Sequence, residues 1–418
     1  MLVRYYPRAG AFVTACMTVA MCVPLSGGAA EWSAEPSVRL RREYNDNINL
    51  TLQPHNSVNG SIITPKLDFG ARAEIWQINA TAELSRRRYS GESDLDRDDN
   101  TFRLASQYAT ERDTWRLEGN RTLDSVLSDE LTSADIGVVQ VQKRRESHGI
   151  SPSWTRTLTE TMQLQLAYQL NDVSYANGQS VGLYDYRYSY TTARLTNYLS
   201  EQTQVFVTGG YSAFHVPATG FDSVGRIFQI GIARNFSETL QGSVLAGARR
   251  TESLTQGGQP IYTRISTIFG DLLVQTGVTT DVRSEETSAT FNGSLDKKFE
   301  KSRMNLTLSR SLDPSGSGGQ VEQDSLDFRL NHPLTSRFEL LFSAYALKSR
   351  TLESNISSND RRYYYVEPGA YWHLSQEWKL SVGYRYTNLR REYEPKDATS
   401  NSVYLTLAYY PLKMSISR

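Results

Sequence analysis

The 418-residue chain balances 45 Lys and Arg against 45 Asp and Glu, and it holds 25 Tyr, 14 Phe and 6 Trp despite a negative mean hydropathy. That balance excludes the basic footprint of a nucleic-acid partner, and no run of about 20 mostly apolar residues offers a bilayer-spanning helix. Both cysteines, Cys16 and Cys22, lie near the start, so no thiol nucleophile or cysteine metal cluster is available downstream.

Residues 1–30 have the three parts of a secretory signal. Arg4 and Arg8 form a basic start, Ala11 to Leu25 an apolar run, and Gly28-Ala29-Ala30 a small-residue exit. Cleavage is expected after Ala30. A lipoprotein-type sequence, Val13-Thr14-Ala15-Cys16, follows too few apolar residues to be the preferred processing site.

From about Ser37 onward, period 2 dominates. Met162, Leu164, Leu166, Tyr168 and Leu170 alternate with Gln163, Gln165, Ala167 and Gln169, and Trp378, Leu380, Val382, Tyr384 and Tyr386 with Lys379, Ser381, Gly383, Arg385 and Thr387. Successive strand side chains point to opposite faces, so this pattern predicts strands with one apolar and one polar face. A soluble sandwich would alternate too, but its strands are usually about 5 or 6 residues long. Here they run to about 12 to 16, enough to cross a bilayer at a tilt.

Connections decide between the two. Tight turns are expected at Ile75-Trp76, Glu111 to Asp113, Leu158 to Glu160, Ser200 to Gln202, Ser237-Glu238, Glu300-Lys301, Leu334 to Ser336 and Ser375 to Glu377. Longer polar loops alternate with them near 51–59, 91–99, 126–138, 176–183, 216–224, 254–284, 313–320, 352–360 and 394–400. Short turns on one rim and long loops on the other mark an outer-membrane barrel. The fold class expected is therefore an all-β, transmembrane, up-and-down antiparallel β-barrel spanning residues 31–418, with 18 strands, or alternatively 16 or 20. An even count puts both termini on one side, taken as the periplasm. Residues 254–284 form the largest gap between tight turns. They are read as a constriction loop with Ile261, Ile265, Phe269 and Leu272 at helical spacing, or as an added hairpin turning at Gly270-Asp271, the loop being preferred.

Tyr184, Tyr186, Tyr188 and Tyr190 share one strand face, Tyr363, Tyr364 and Tyr365 cluster near a loop, and Trp76, Trp115, Trp154, Trp372 and Trp378 fall beside tight turns. Amphipathic rings settle at the headgroup level, which predicts a girdle. A sugar-stacking surface is the alternative for some tyrosines. Candidate lumen-lining residues are Asp68, Arg72, Glu83, Arg103, Arg116, Glu118, Arg187, Asp327, Arg329, Lys379 and Arg385. Their mixed sign argues against ion selectivity, which needs an excess of one charge. Pro65, Pro152, Pro333, Pro368 and Pro411 cannot donate to a ladder, so each is expected at a bulge or a rim.

Chemistry-bearing motifs are sparse. His55, His148, His215, His332 and His373 show no ligand spacing, and no nucleophile elbow, phosphate loop or dinucleotide fingerprint occurs. His148, between Glu146 and Ser151, is the one local candidate for hydrolysis. The expectation is no enzyme activity, no metal and no cofactor.

The opening Ser37 to Leu50, with Asp46-Asn47-Ile48-Asn49-Leu50, continues into Ile63-Thr64-Pro65-Lys66-Leu67. Together with Ser151-Pro152-Ser153-Trp154, Leu308 to Leu312 and Val382 to Tyr386, it resembles a family of outer-membrane barrels associated with exopolysaccharide clusters and the exosortase (PEP-CTERM) sorting system. The resemblance implies a Gram-negative outer-membrane location. Its implied partners are membrane lipid, the barrel assembly machinery, and extracellular polysaccharide or its export machinery. A porin-like channel is the first expectation and a non-conducting scaffold barrel the second. One departure is the chain's end, where Tyr409-Tyr410 precede an eight-residue tail.

Overall fold

The computed structural model describes residues 30–52, 56–91, 93–126, 142–257, 260–267, 270–278, 281–351, 360–392 and 394–417. The expected signal segment lies almost wholly outside the described residues, and His55 lies outside them too.

The strands run β1 (Glu31–Asn45), β2 (Val58–Arg72), β3 (Trp76–Ser90), β4 (Arg97–Ala109), β5 (Asp113–Ser125), β6 (Arg144–Thr159), β7 (Met162–Tyr175), β8 (Tyr186–Ser200), β9 (Thr203–Val216), β10 (Phe221–Ser237) and β11 (Leu240–Thr255). They continue as β12 (Pro260–Thr267), β13 (Gly270–Val278), β14 (Val282–Lys298), β15 (Arg303–Pro314), β16 (Gln320–Pro333), β17 (Phe338–Thr351), β18 (Arg361–His373), β19 (Trp378–Arg391), β20 (Ala398–Tyr409) and β21 (Met414–Ser417). Nineteen of them form one antiparallel sheet, in which β1 pairs with β2 on one side and with β20 and then β21 on the other. Since β20 and β21 follow one another along β1, they make a single interrupted stave, and the sheet closes as an 18-stave barrel. Closure leaves no edge of unpaired amides, the condition for a sheet surrounded by lipid.

The eight short connections fall within a residue or two of the expected turns, all on the rim that also holds Glu31 and Ser417. Among the described residues the opposite rim departs from expectation at three places, the loops expected at 126–138 and 352–360 lying almost wholly outside them. Strands β9 and β10 pair right up to Val216–Phe221, and β15 and β16 up to Pro314–Gln320, so the loops expected at 216–224 and 313–320 are tight turns. Their polar Asp222, Ser223 and Asp313 extend the strands rather than the loops. Between β11 and β14, a hairpin of β12 and β13 pairs only with itself. The preferred constriction loop with helical spacing is thus corrected to a strand pair, Phe269 lying outside the described residues, and the count of 18 stands because that pair adds no stave.

Proline placement also differs from expectation. Pro65, Pro152 and Pro368 sit inside strands with no register slip, so they are not at bulges. Each instead interrupts the ladder to one neighbour for two residues while keeping register with the other: Pro65 faces Val38, Pro152 faces Leu117 and Pro368 faces Phe342. Within the barrel the register shifts lie beside short turns, at Thr157/Thr159, Tyr198/Ser200 and Asn235/Ser237. Pro333 ends β16 and Pro411 lies between β20 and β21, both at the rim.

Alternation sorts the wall into two faces. Leu67, Phe69, Tyr108, Leu166, Tyr168, Phe228, Ile230, Phe342, Val382 and Leu405 are exposed on the outer face. Near the short turns the tryptophans form the expected belt, with Trp115 and Trp154 centroids 5.7 Å apart, Trp32 and Trp76 6.3 Å, and Trp378 and Tyr409 4.7 Å. A closed sheet with an apolar exterior and an aromatic belt is a transmembrane β-barrel. Val382 is 48% exposed on this band, a few residues above Trp378, while its neighbour Ser381 faces inward. Val382→Arg is expected to destabilise the folded barrel in lipid vesicles by about 2–4 kcal/mol. Ser381→Arg should cost far less. Urea midpoints followed by tryptophan fluorescence measure both, and equal costs would contradict the facing.

Candidate functional site in the lumen

Strand parity places ten of the eleven candidate residues on the inner face. Asp68 and Arg72 share the face of buried Ile62 and Thr64, opposite exposed Leu67 and Phe69. Glu83 stands with Ser85 and Arg87, Arg103 with Asp99, Arg116 and Glu118 with Asp124, Asp327 and Arg329 with Gln323, and Lys379 and Arg385 with Thr387. Arg187 is the exception. It alternates with buried Tyr186, shares the outward face of Leu195, and pairs with Asp172 at 2.6 Å on the outer side of β7. The expectation that Arg187 lines the lumen is therefore corrected.

The tyrosines reverse with it. Tyr186, Tyr188 and Tyr190 point inward, as do Tyr345, Tyr363, Tyr365, Tyr371 and Tyr404, whereas Tyr364 points outward. Above the lipid band the strands stand in water, so the outer face turns polar there. Pairs such as Arg88–Asp98 at 2.9 Å, Arg121–Glu146 at 2.8 Å and Arg310–Asp324 decorate the outside at that height. On β7 to β10 the inner face turns apolar at the same height. Val173, Tyr175, Leu183, Tyr186, Phe214, Val216 and Phe221 form a buried cluster, with Leu183 only 1% exposed.

Leu183 belongs to the connection between β7 and β8, which folds inward and meets the turn between β15 and β16 across the lumen. The Tyr184 amide donates to the Gly316 carbonyl at 2.7 Å, and Ser223 Oγ donates to Gln320 Oε1 at 2.9 Å. Arg249 on β11 donates to the Leu312 carbonyl at 2.8 Å and to Ser212 Oγ at 2.9 Å. A Cβ at Gly225 would come within 2.6 Å of Arg249 Nε, so this glycine makes room for the guanidinium. These bonds tie distant staves into a bridge at the long-loop rim.

On β3 to β6 the lumen holds an ionic network instead. Asp99 accepts from Arg87, Arg97 and Arg144 at 3.0–3.1 Å, and Asp124 takes both arms of Arg145 at 2.8 and 3.0 Å. Such buried charges are tolerable only when paired. Arg39 meets Glu83 at 2.9 Å across a cavity of about 280 Å³ that also receives Arg103. On β16 to β20, Arg385 and Tyr404 Oη both donate to Glu367, the latter at 2.6 Å, and Arg329 pairs with Asp327 at 3.0 Å. Glu367, Tyr404 and the Asp99 network were missed in the sequence; only the two-residue spacing of Glu367 from Tyr365 signals them.

The local candidate for hydrolysis, His148 with Ser151, is not brought together; elsewhere Ser302 Oγ lies 2.7 Å from His332 Nδ1 and His215 Nδ1 2.6 Å from Asp222. His148 Nε2 contacts Glu146 Oε1 at 3.1 Å on the outer face, while Ser151 has the opposite parity. Among the described residues no group of three or more His, Cys, Asp or Glu is placed to hold a metal ion.

No protein-family profile and no curated protein matches the chain. Among solved structures, OccAB2 of Acinetobacter baumannii is similar at 9% identity, covering 92% of this chain and 98% of that one with a TM-score of 0.47. OccK5 of Pseudomonas aeruginosa is similar at 10% identity, covering 91% and 98%, with a TM-score of 0.44. A loop-deletion mutant of OmpT, an outer membrane protein of Vibrio cholerae, is similar at 9% identity, covering 91% and 99%, with a TM-score of 0.40. The architecture rests on the chain's own closed register.

Leu183→Ala should empty the centre of the apolar cluster and release the bridge. Truncating a buried leucine costs about 2–5 kcal/mol, here expected as local detachment rather than global unfolding. Limited proteolysis should then cut within 176–185 in the variant and spare the parent, with the barrel's thermal midpoint nearly unchanged.

Proposed function

We propose that this chain is a porin-like channel of the outer membrane that passes a neutral, hydroxyl-rich solute and serves the export or assembly of extracellular polysaccharide. The observation that carries the reading is the pairing of inward acids and bases within the wall, as in Arg39–Glu83, Asp327–Arg329 and Arg385–Glu367. A wall neutralised in this way offers donors and acceptors without selecting a charge. Asp68, Arg72, Glu83, Arg103, Arg116, Glu118, Asp327, Arg329, Lys379 and Arg385 line the passage in this reading. Residues 1–30 act as an export signal, the short-turn rim with both ends of the barrel faces the periplasm, and insertion uses the barrel assembly machinery. The fold carries no catalytic step or cofactor in this scheme.

The second reading is a structural barrel that does not conduct and binds surface polymer or partners through its loops. The cross-lumen bond from Tyr184 to Gly316 favours it. Planar-bilayer recordings separate the two. The channel reading expects discrete conductance steps with a cation-to-anion permeability ratio within about twofold of unity. Steps should grow when 315–319 are shortened. A lumen closed in the parent and in that variant would establish the scaffold.

A further inference from the structure

We propose that the inner wall formed by β16 to β20 is a saccharide-binding track, a proposal that rests on the barrel being a passage for hydroxyl-rich solute. Four heights of this wall carry an inward tyrosine. On β18 they are Tyr371, Tyr365 and Tyr363, a span of about 26 Å at roughly 3.3 Å per residue. Tyr404 fills the height between Tyr371 and Tyr365, through the register Tyr404 to Gly383 to Gly369. Tyr345 stacks on Tyr365 with centroids 5.7 Å apart and 27° between the planes. Gly383 is required at its position: a Cβ there would stand 2.3 Å from the Tyr404 ring, so only a bare backbone lets that ring lie down on the wall.

At three of the four heights a cation also lies over the ring. Lys379 Nζ lies 3.8 Å from the Tyr371 ring centre, Arg41 4.1 Å from that of Tyr404, and Arg385 4.9 Å from that of Tyr365. Glu367 and Asp327 supply carboxylates at adjacent positions on the same face. Pyranose rings present flat C–H faces and a rim of hydroxyls. The C–H faces suit the electron-rich face of a tyrosine, and the hydroxyls need donors and acceptors together, which the Arg–Glu and Arg–Asp pairs provide. Tyr363, Tyr365, Tyr371 and Tyr404 are all only half-buried, so aromatic surface is left facing a wet lumen where packing alone would favour serine or threonine.

The test uses the full barrel refolded in detergent, with maltohexaose and cellohexaose as neutral linear probes and a polyethylene glycol of similar mass as the inert control. Calorimetric titration should show binding of at least one glucan and none of the glycol. Tyr365→Leu and Tyr371→Leu should each weaken it about three- to tenfold, while Tyr365→Phe, which keeps the ring, and Tyr364→Ala, on the outer face of the same strand, should leave it unchanged. Retention of the folded gel mobility qualifies each variant. Failure of both glucans to bind the folded parent, or equal loss in Tyr364→Ala, overturns the track. Conductance without glucan binding removes the track and leaves the channel. Glucan binding to a barrel that never conducts removes the channel and leaves the track.

Discussion

Every residue of this barrel's wall answers first to its own backbone. Inside a bilayer an amide without a partner costs several kcal/mol, and the only way for a sheet to avoid that is to bite its own tail. Here β1 performs the closure, pairing along its length with β2 and with the two segments β20 and β21. Everything else about the molecule is a choice of side chains hung on that ring. Even Pro65, Pro152 and Pro368 conform: each gives up two rungs toward one neighbour while holding register on the other.

Once closed, the wall has three zones by height. Across the lipid the exterior is apolar and belted by tryptophan near the short turns. Beyond the lipid the exterior is charged, and the interior divides by sector: salt-bridged on β3 to β6, apolar and aromatic on β7 to β10. The third zone is the rim, where the inward-folded connection at Leu183 and the turn at Gly316 meet. The interior is therefore not uniform. A solute travelling along β16 to β20 meets tyrosine and paired charge, whereas one along β3 to β6 meets arginine and aspartate.

Much of this was legible in the sequence, and the failures share one cause. Alternation, strand length and turn spacing sufficed for the strand type, the eight tight turns and the count of staves, because lipid imposes the same polarity rule on every strand. Parity assigned Asp68, Glu83, Arg329 and Lys379 to the inner strand face. It misplaced Arg187 and Tyr186, Tyr188 and Tyr190, since above the membrane water lies outside and the rule no longer applies; nothing in the residues of β8 marks where the lipid stops. The tight turns at 217–220 and 315–319 were hidden for a related reason, as polar residues that read as loop are simply strand standing in solvent. The hairpin β12–β13 was half seen: the turn expected at Gly270-Asp271 falls inside β13, and the hairpin's independence from the barrel is not encoded in local pattern. Of the candidate site, the charged residues were legible singly. Their partnerships, such as Glu367 with Tyr404 or Asp99 with three arginines, depend on register between strands far apart in sequence.

The bridge from Tyr184 to Gly316, braced by Arg249 on Leu312 and Ser223 on Gln320, has a mechanical meaning as well. A hollow cylinder resists axial load well and sideways squeezing poorly, because flattening its cross-section bends each stave only slightly. A strut across the bore couples the two: any lateral pressure that ovalises the ring must stretch or slacken those few bonds. The strut thereby holds the mouth's cross-section against ovalisation that the bare ring would resist only weakly.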